Sequence, residues 1–289
     1  MVKIFLKKII FLFFGSIIYV LFPIFILLRK HSIYVINYHA TYPDNNDNFI
    51  KQILFFKKYF DLVDEKHFFE SKKLRYNKPK LLITFDDGHV SNIGAINILK
   101  KYKIPATVFI PYDFVNRKRA KNIKAENYIT NKKFNIISDL HKDLNYKYKS
   151  LSMNFNDLKK IKKKNFSIGV HGYSHIRLSE SLSEKELRKE IIMSKKKLEN
   201  KLKIKINSFC WTFGDKDSYS KKAAKLIKNN YKLSFMTCCK PYSLDQNLLQ
   251  IHRFNIENFF SLSQVAFVLS GIYEMIYLYK RKFVNNLTK

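Results

Sequence analysis

Hydrophobic residues fall along the chain in three kinds of run. The first is unbroken. Ile9 to Leu28 reads IIFLFFGSIIYVLFPIFILL with no charge inside, matching the ~20 residues a helix needs to cross the hydrocarbon core. Apolarity on every face argues against an ordinary core helix, and Pro23 would kink it in a way membranes tolerate. The second kind is short and β-rich: Tyr34 to Tyr38, Leu81 to Phe85, Ala106 to Ile110, Ser167 to Val170, Asn207 to Trp211 and Leu233 to Thr237. Such near-continuous apolar runs suit strands buried on both faces of a parallel sheet. The third kind has helical spacing. Ser91 to Lys101 places Ile93, Ile96 and Leu99 on one side. Ser183-Glu184-Lys185-Glu186 forms a capping box ahead of Leu187, Ile191, Ser194 and Leu198. Ser220 caps a helix through Ala224 and Ile227 that ends near Asn229 and Asn230. Strands alternating with helices predict an α/β fold with a parallel sheet or barrel.

Two stretches depart from that rhythm. Residues 113–150 are long, basic and rich in Asn and Tyr. They read as an insertion or lid, because structureless loops of that length are uncommon in a compact domain. Phe259 to Tyr279 is apolar and aromatic but carries Glu274 and leads into Lys280-Arg281-Lys282. A packed or interfacial amphipathic helix fits it better than a second span. The predicted organisation is residues 1–31 as membrane anchor or signal segment, 32–258 as the main domain, and 259–289 as an amphipathic helix with a basic tail.

Length and composition agree. A chain of 289 residues with 46% hydrophobic and 16% aromatic content builds a real core and is not disordered. The net charge is +31, from 54 Lys+Arg against 23 Asp+Glu. Such an excess fits a polyanionic partner, but Lys and Asn are abundant throughout, as an AT-rich genome produces. The Lys runs fall on predicted helices, without the interleaved aromatics of a stacking groove, and no nucleic-acid motif is present. Three cysteines, Cys210, Cys238 and Cys239, form neither a disulfide framework nor a zinc ribbon; they read as small buried side chains. Lys3, Lys7 and Lys8 precede the apolar run, and no small-x-small cleavage site follows it. The expectation is an uncleaved single anchor with the domain on the extracytoplasmic side, although Arg29 and Lys30 just after the run oppose that orientation.

Two clusters carry chemistry. Asp86 and Asp87 close the strand LLITF in Thr84-Phe85-Asp86-Asp87-Gly88. Adjacent carboxylates at the C-terminal end of a parallel strand stand where α/β enzymes place their sites; alone, Asp-Asp-Gly also reads as a turn. His171 and His175, in His171-Gly172-Tyr173-Ser174-His175, follow the strand SIGV. Two imidazoles at that spacing can converge on one divalent metal, with zinc, cobalt, nickel and iron suited; a chance pair on a loop is the plainer alternative.

Together these motifs resemble a known family. TFDDG, followed by SNIGAINILKKYKIPATVFI, is similar to the first motif of the polysaccharide deacetylases of carbohydrate esterase family 4. FSIGVHGYSHIRLSESLS is similar to the second. The likeness runs from about Tyr34 to Phe254 and implies a distorted (β/α) barrel after the N-terminal transmembrane helix. It implies Asp86 as general base and Asp87, His171 and His175 as ligands of a divalent metal, most naturally zinc. Phe213 matches an aromatic whose backbone N–H helps hold the oxyanion, with Thr212 where the family has Pro. The family's late Leu-x-x-His motif, which supplies the general acid, is absent in clean form. Asn37-Tyr38-His39 resembles the Tyr-His motif of poly-N-acetylglucosamine deacetylases, making His39 the preferred acid and His252 its competitor. Arg253 matches an arginine that orients the base. His67, His89 and His141 read as surface residues. The implied activity is hydrolysis of N-acetyl groups on a cell-envelope or surface glycan. An amidase acting on a non-sugar amide and a catalytically silent glycan-binding barrel stay open beside it. Expected partners are the glycan and, through the N-terminal helix, the membrane.

Overall fold

The computed structural model describes residues 2–70, 77–116, 152–162, 166–243 and 246–289, the side chains of 2–14 and 70 excepted. Nine strands form one sheet, and every pairing between them is parallel: β1 (Ile33–Tyr38), β2 (Asp61–Leu62), β3 (Lys80–Phe85), β4 (Ala106–Ile110), β5 (Phe166–Val170), β6 (Ser208–Cys210), β7 (Leu233–Met236), β8 (Ile251–His252) and β9 (Phe254–Asn255). Their order is β8-β7-β6-β5-β4-β3-β1-β9, with β2 beside the start of β3. Only Arg253 separates β8 from β9. The two ends of the sheet are therefore one continuous strand, and the sheet nearly closes into a parallel (β/α) barrel. The six expected strands are all present, each within a residue or so of its predicted bounds. Strands β2, β8 and β9 have no counterpart among the sequence expectations, because two-residue strands carry no periodicity to read.

Alternation along the strands sorts their side chains. Ile33, Val35, Leu82, Phe109, Phe235 and Ile251 form one buried cluster. Tyr34, Ile36, Tyr38, Leu81, Ile83 and Phe85 point the other way, into the larger cluster under the helices. The same register puts Asn37 and Thr84 on the inner face and, one step past the end of β3, Asp86. On that same inner side, beside β4, β5 and β6, Glu65 is buried, with Thr107 Oγ1 donating to its Oε2 at 3.5 Å; burial lifts its carboxyl to about 7.

The helices are α1 (Val2–Leu27), α2 (Asn46–Tyr59), α3 (His67–Glu70), α4 (Asn92–Lys101), α5 (Tyr112–Asn116), α6 (Phe155–Ile161), α7 (Glu184–Arg188), α8 (Ser194–Leu202), α9 (Lys221–Asn230), α10 (Leu262–Leu269), α11 (Ile272–Ile276) and α12 (Leu278–Leu287). Both predicted caps are formed. Ser183 Oγ accepts from Glu186 N while Glu186 Oε2 accepts from Ser183 N, and Ser220 Oγ accepts from Ala223 N. A π-helical segment, Lys189–Met193, joins α7 to α8. The insertion expected at 113–150 begins within α5; its remainder, 117–150 with His141, lies outside the described residues.

Among the described residues no helix is long and apolar enough to cross a membrane. The part of α1 whose side chains are described, from Gly15 on, lies along α10. Gly15 abuts Ser263, and Phe22 packs on Phe55 and Tyr59 of α2. Burying a Phe such as Phe22 stabilises by roughly 2–3 kcal/mol. The segment expected as a single amphipathic helix at Phe259 to Tyr279 is instead broken into α10, α11 and the start of α12. Gly271, at φ 101°, makes the first break.

Candidate active site

The chemistry-bearing residues gather beyond the C-terminal ends of the strands. Asp86 and Asp87 follow β3, His39 follows β1, His171 follows β5, and Phe213 follows β6. Arg253 reaches in from between β8 and β9, where its backbone N–H donates to Met236 O. Two of these positions, Asp87 (φ 67°) and Phe213 (φ 59°), sit in the left-handed backbone region that non-glycine residues rarely adopt, as does His175 (φ 57°), four residues after His171. Such conformations cost energy and persist where surrounding contacts enforce them, as at functional sites.

The two neighbouring carboxylates have separate partners. Asp86 is buried and receives a bidentate pair, Arg253 Nη1 to Oδ1 and Nη2 to Oδ2, both at 2.7 Å. Arg253 Nη1 also donates to Thr84 Oγ1 at 3.0 Å, and Nη2 approaches Cys210 Sγ at 2.8 Å. Burial alone would raise the Asp86 carboxyl. The charge of Arg253, then that of His171, and the Arg253 hydrogen bonds outweigh it and hold Asp86 below the ordinary carboxylate value.

Asp87 turns the other way. Its Oδ1 lies 3.4 Å from His171 Nε2 and 3.1 Å from His175 Nε2. The ligating atoms of Asp87, His171 and His175 all fall within 4.8 Å of one another. Asp87 Oδ1 is buried and accepts no hydrogen bond. His171 Nδ1 lies 2.9 Å from the Cys210 carbonyl oxygen, to which only its protonated form can donate. That contact fixes the tautomer that leaves the Nε2 lone pair facing Asp87. An orphaned carboxylate oxygen between two imidazole nitrogens fits a divalent cation. The N,N,O donor set suits zinc, cobalt, nickel or iron.

The His171–His175 loop is held by a residue absent from the sequence expectations. Glu190, buried in the π-helical segment, accepts from Tyr173 N at 2.7 Å and Ser174 N at 2.9 Å through Oε2, and from Ser174 Oγ at 2.8 Å through Oε1. Ser194 Oγ donates to Gly172 O at 2.7 Å. The extra residue of a π-turn re-aims a helix face, and such turns are frequent at functional sites. Phe213 packs its ring on His175 at 4.8 Å, and the Arg177 guanidinium stacks 4.1 Å above that ring.

The two candidate acids are placed differently. His39 Nδ1 lies 3.3 Å from Glu257 Oε1. Burial disfavours the charged ring, but the hydrogen bond and charge of Glu257, then the charges of Asp87 and Asp86, raise its pKa. His252 lies apart from the cluster: its Nε2 meets Asn285 Oδ1 of α12 at 2.9 Å. Burial pushes its pKa down to about 3, which disfavours the charged ring. His89, expected at the surface, is instead buried. Its Nδ1 meets Ser91 Oγ at 2.7 Å and its ring packs edge-on against Tyr42, because the turn after Gly88 folds it under the start of α4.

Glu190 had a sequence signal: it lies on the same helical row as Leu187 and Ser194, a lone carboxylate on a buried face. Glu257 had none beyond its position four residues after Arg253.

Residues 73–231 match the family model for polysaccharide deacetylase. That span includes Asp86, Asp87, His171, His175 and Phe213, and leaves out His39, Arg253 and Glu257. No curated protein matches the chain. Solved structures with the same fold include a Streptococcus pyogenes deacetylase, PplD, in complex with acetate (21% identity over 83% of this chain and 99% of that one, TM-score 0.63). IcaB from Ammonifex degensii is also similar (17% identity, 83% of this chain and 97% of that one, TM-score 0.60). So is the deacetylase domain of BpsB from Bordetella bronchiseptica (13% identity, 78% and 96%, TM-score 0.57). With the family model spanning more than half of its length and the sheet nearly closed into a barrel, the chain belongs to the polysaccharide deacetylase family, hydrolases that act on carbon–nitrogen bonds of linear amides.

Proposed function

We propose that this protein removes N-acetyl groups from the N-acetylated sugars of a cell-envelope or surface polysaccharide. It does so with a divalent cation, zinc foremost, held by Asp87, His171 and His175. The observation that carries this reading is the division of labour between neighbouring carboxylates: Asp87 faces two imidazoles while Asp86 faces an arginine. A cation at the triad supplies Lewis-acid polarisation of the amide carbonyl and of water. Asp86, kept ionised by Arg253, accepts the proton of the attacking water. The Phe213 backbone N–H takes the part of oxyanion donor that the family resemblance assigns to this position. His39, kept protonated by Glu257, donates to the departing sugar amine, so that acetate and a free amino sugar result. The N-terminal helix anchors the chain at a membrane, with the catalytic barrel on the extracytoplasmic side, which suits an envelope substrate.

The test is acetate release from N-acetylglucosamine oligomers compared with small non-sugar amides, alongside metal analysis of the purified protein. Asp86→Asn is expected to abolish turnover while bound metal stays near the wild-type level. Undiminished activity in that variant overturns the assignment of the base, and release from simple amides alone overturns the sugar substrate.

A further inference from the structure

The described part of α1 packs one face only. Gly15, Ile18, Phe22 and Ile26, spaced as a helical stripe, are buried. The other faces are apolar yet exposed, with Val20 at 74% and Leu28, just past the helix, at 79%. A surface helix of a soluble domain carries polar residues on such faces. The C-terminal helices repeat the anomaly: Met275 is 75% exposed, Ile276 69% and Tyr279 73%. Among the described residues, every large exposed hydrophobic lies on α1 with Leu28 or on α11 and α12, except Leu54, Phe69 and Met193. The two stretches meet, since Arg29, two residues past α1, pairs with Glu274 of α11 and lies against Gly271.

The charges carried by the two stretches themselves are almost all basic. No acidic residue occurs before Asp44, and after Glu257 the only one is Glu274, already paired with Arg29. Lys30 and Lys282 stand exposed beside the apolar residues. Apolar patches of this extent mark interaction sites, and exposed apolar helices fringed by lysine match the interface of a bilayer containing anionic lipid.

We propose that α1 and the α11–α12 segment form one membrane-seating surface, so that the barrel rests on an anionic bilayer in a fixed orientation and does not swing from a tether. This rests on the membrane association in the proposed function and adds the second, C-terminal contact. The seat adjoins the site on two sides. The loop carrying Glu257, partner of His39, runs directly into α10, which α1 covers. Lys216, three residues beyond Phe213, stacks on Tyr279 and Phe283 of α12 at 4.4 and 5.5 Å. Seating the barrel this way brings the active site to glycan lying close to the membrane surface.

The test uses the full chain bound to vesicles of phosphatidylcholine and phosphatidylglycerol. An environment-sensitive dye is attached to Met275→Cys, or to Met193→Cys on the π-helical segment as the control; the native cysteines are buried. Acetate release by each labelled variant verifies folding. The dye at 275 is expected to blue-shift on vesicle binding and to be quenched by bromine-labelled acyl chains at least threefold more than the dye at 193. If the chain floats with vesicles while both dyes stay equally aqueous, the seating surface is wrong and the N-terminal anchor stands. A chain that does not float at all overturns both. A dye at 275 that shifts only on self-association, without vesicles, assigns the surface to a second copy of the chain and overturns the proposal.

Discussion

Asp86 and Asp87 are identical in chemistry and adjacent in sequence, and their environments assign them different partners. A strand ends at Phe85, so the next two side chains leave in different directions. Asp86 continues the inward register toward Arg253, while the positive φ of Asp87 swings its carboxylate to the imidazoles. His39 depends in the same way on Glu257. As the proposed acid, His39 must be protonated to donate, and its raised pKa keeps it so to higher pH. Glu257→Gln removes part of that support while keeping the shape. The alkaline limb of the kcat profile is therefore expected to move toward acid, with kcat at pH 8 falling on the order of 10-fold. A pH–rate profile of wild type and variant checks this. Asp86, Asp87, His171 and His175 were legible in the sequence because each sits in a short motif beside a readable strand. Glu257 was not, because its meaning depends on β9 lying beside β1, a contact more than 200 residues distant in sequence.

At the scale of elements, the capped helices and buried strands were legible because capping boxes and apolar runs are local. The π-helical turn was not. It reflects a tertiary requirement, that Glu190 reach the amides of Tyr173 and Ser174, and no propensity encodes that. Glu190→Ala leaves two backbone donors without their acceptor and is expected to cost about 1–3 kcal/mol of stability. The loosened loop should also bind metal roughly 10–100-fold more weakly. Denaturant melts and zinc titration of the purified variant measure both. A fall in stability with unchanged zinc affinity would limit Glu190 to a structural part. The α1 run shows the complementary difficulty: its apolarity was plain, but the packing of Phe22 and Ile26 onto the barrel's helices depends on residues of α2 and α10 that no local pattern links to it.

At the scale of the molecule, one buried carboxyl ties stability to pH. Glu65 is lifted from an ordinary value of 4.5 to about 7, by burial first and with help from Asp64, against the opposing pull of the neighbouring hydroxyls, Thr107 among them. Between those values the unfolded chain has released a proton that the folded chain still holds. The contribution is therefore complete below pH 4.5 and is lost as pH rises toward 7, by about 3 kcal/mol. Glu65→Gln is expected to flatten that slope and to leave the variant more stable than wild type at pH 8, as denaturant titrations at pH 5 and pH 8 would register. The overall α/β architecture followed from alternation alone; closure did not, because the closing segment is two dipeptide strands around Arg253. That closure has a temporal side. A ribosome delivers β3 and both histidines long before residue 253, so the emerging chain carries its carboxylates and imidazoles without the guanidinium that keeps Asp86 charged. On the proposed roles, a chain halted short of the last strand is expected to release no acetate.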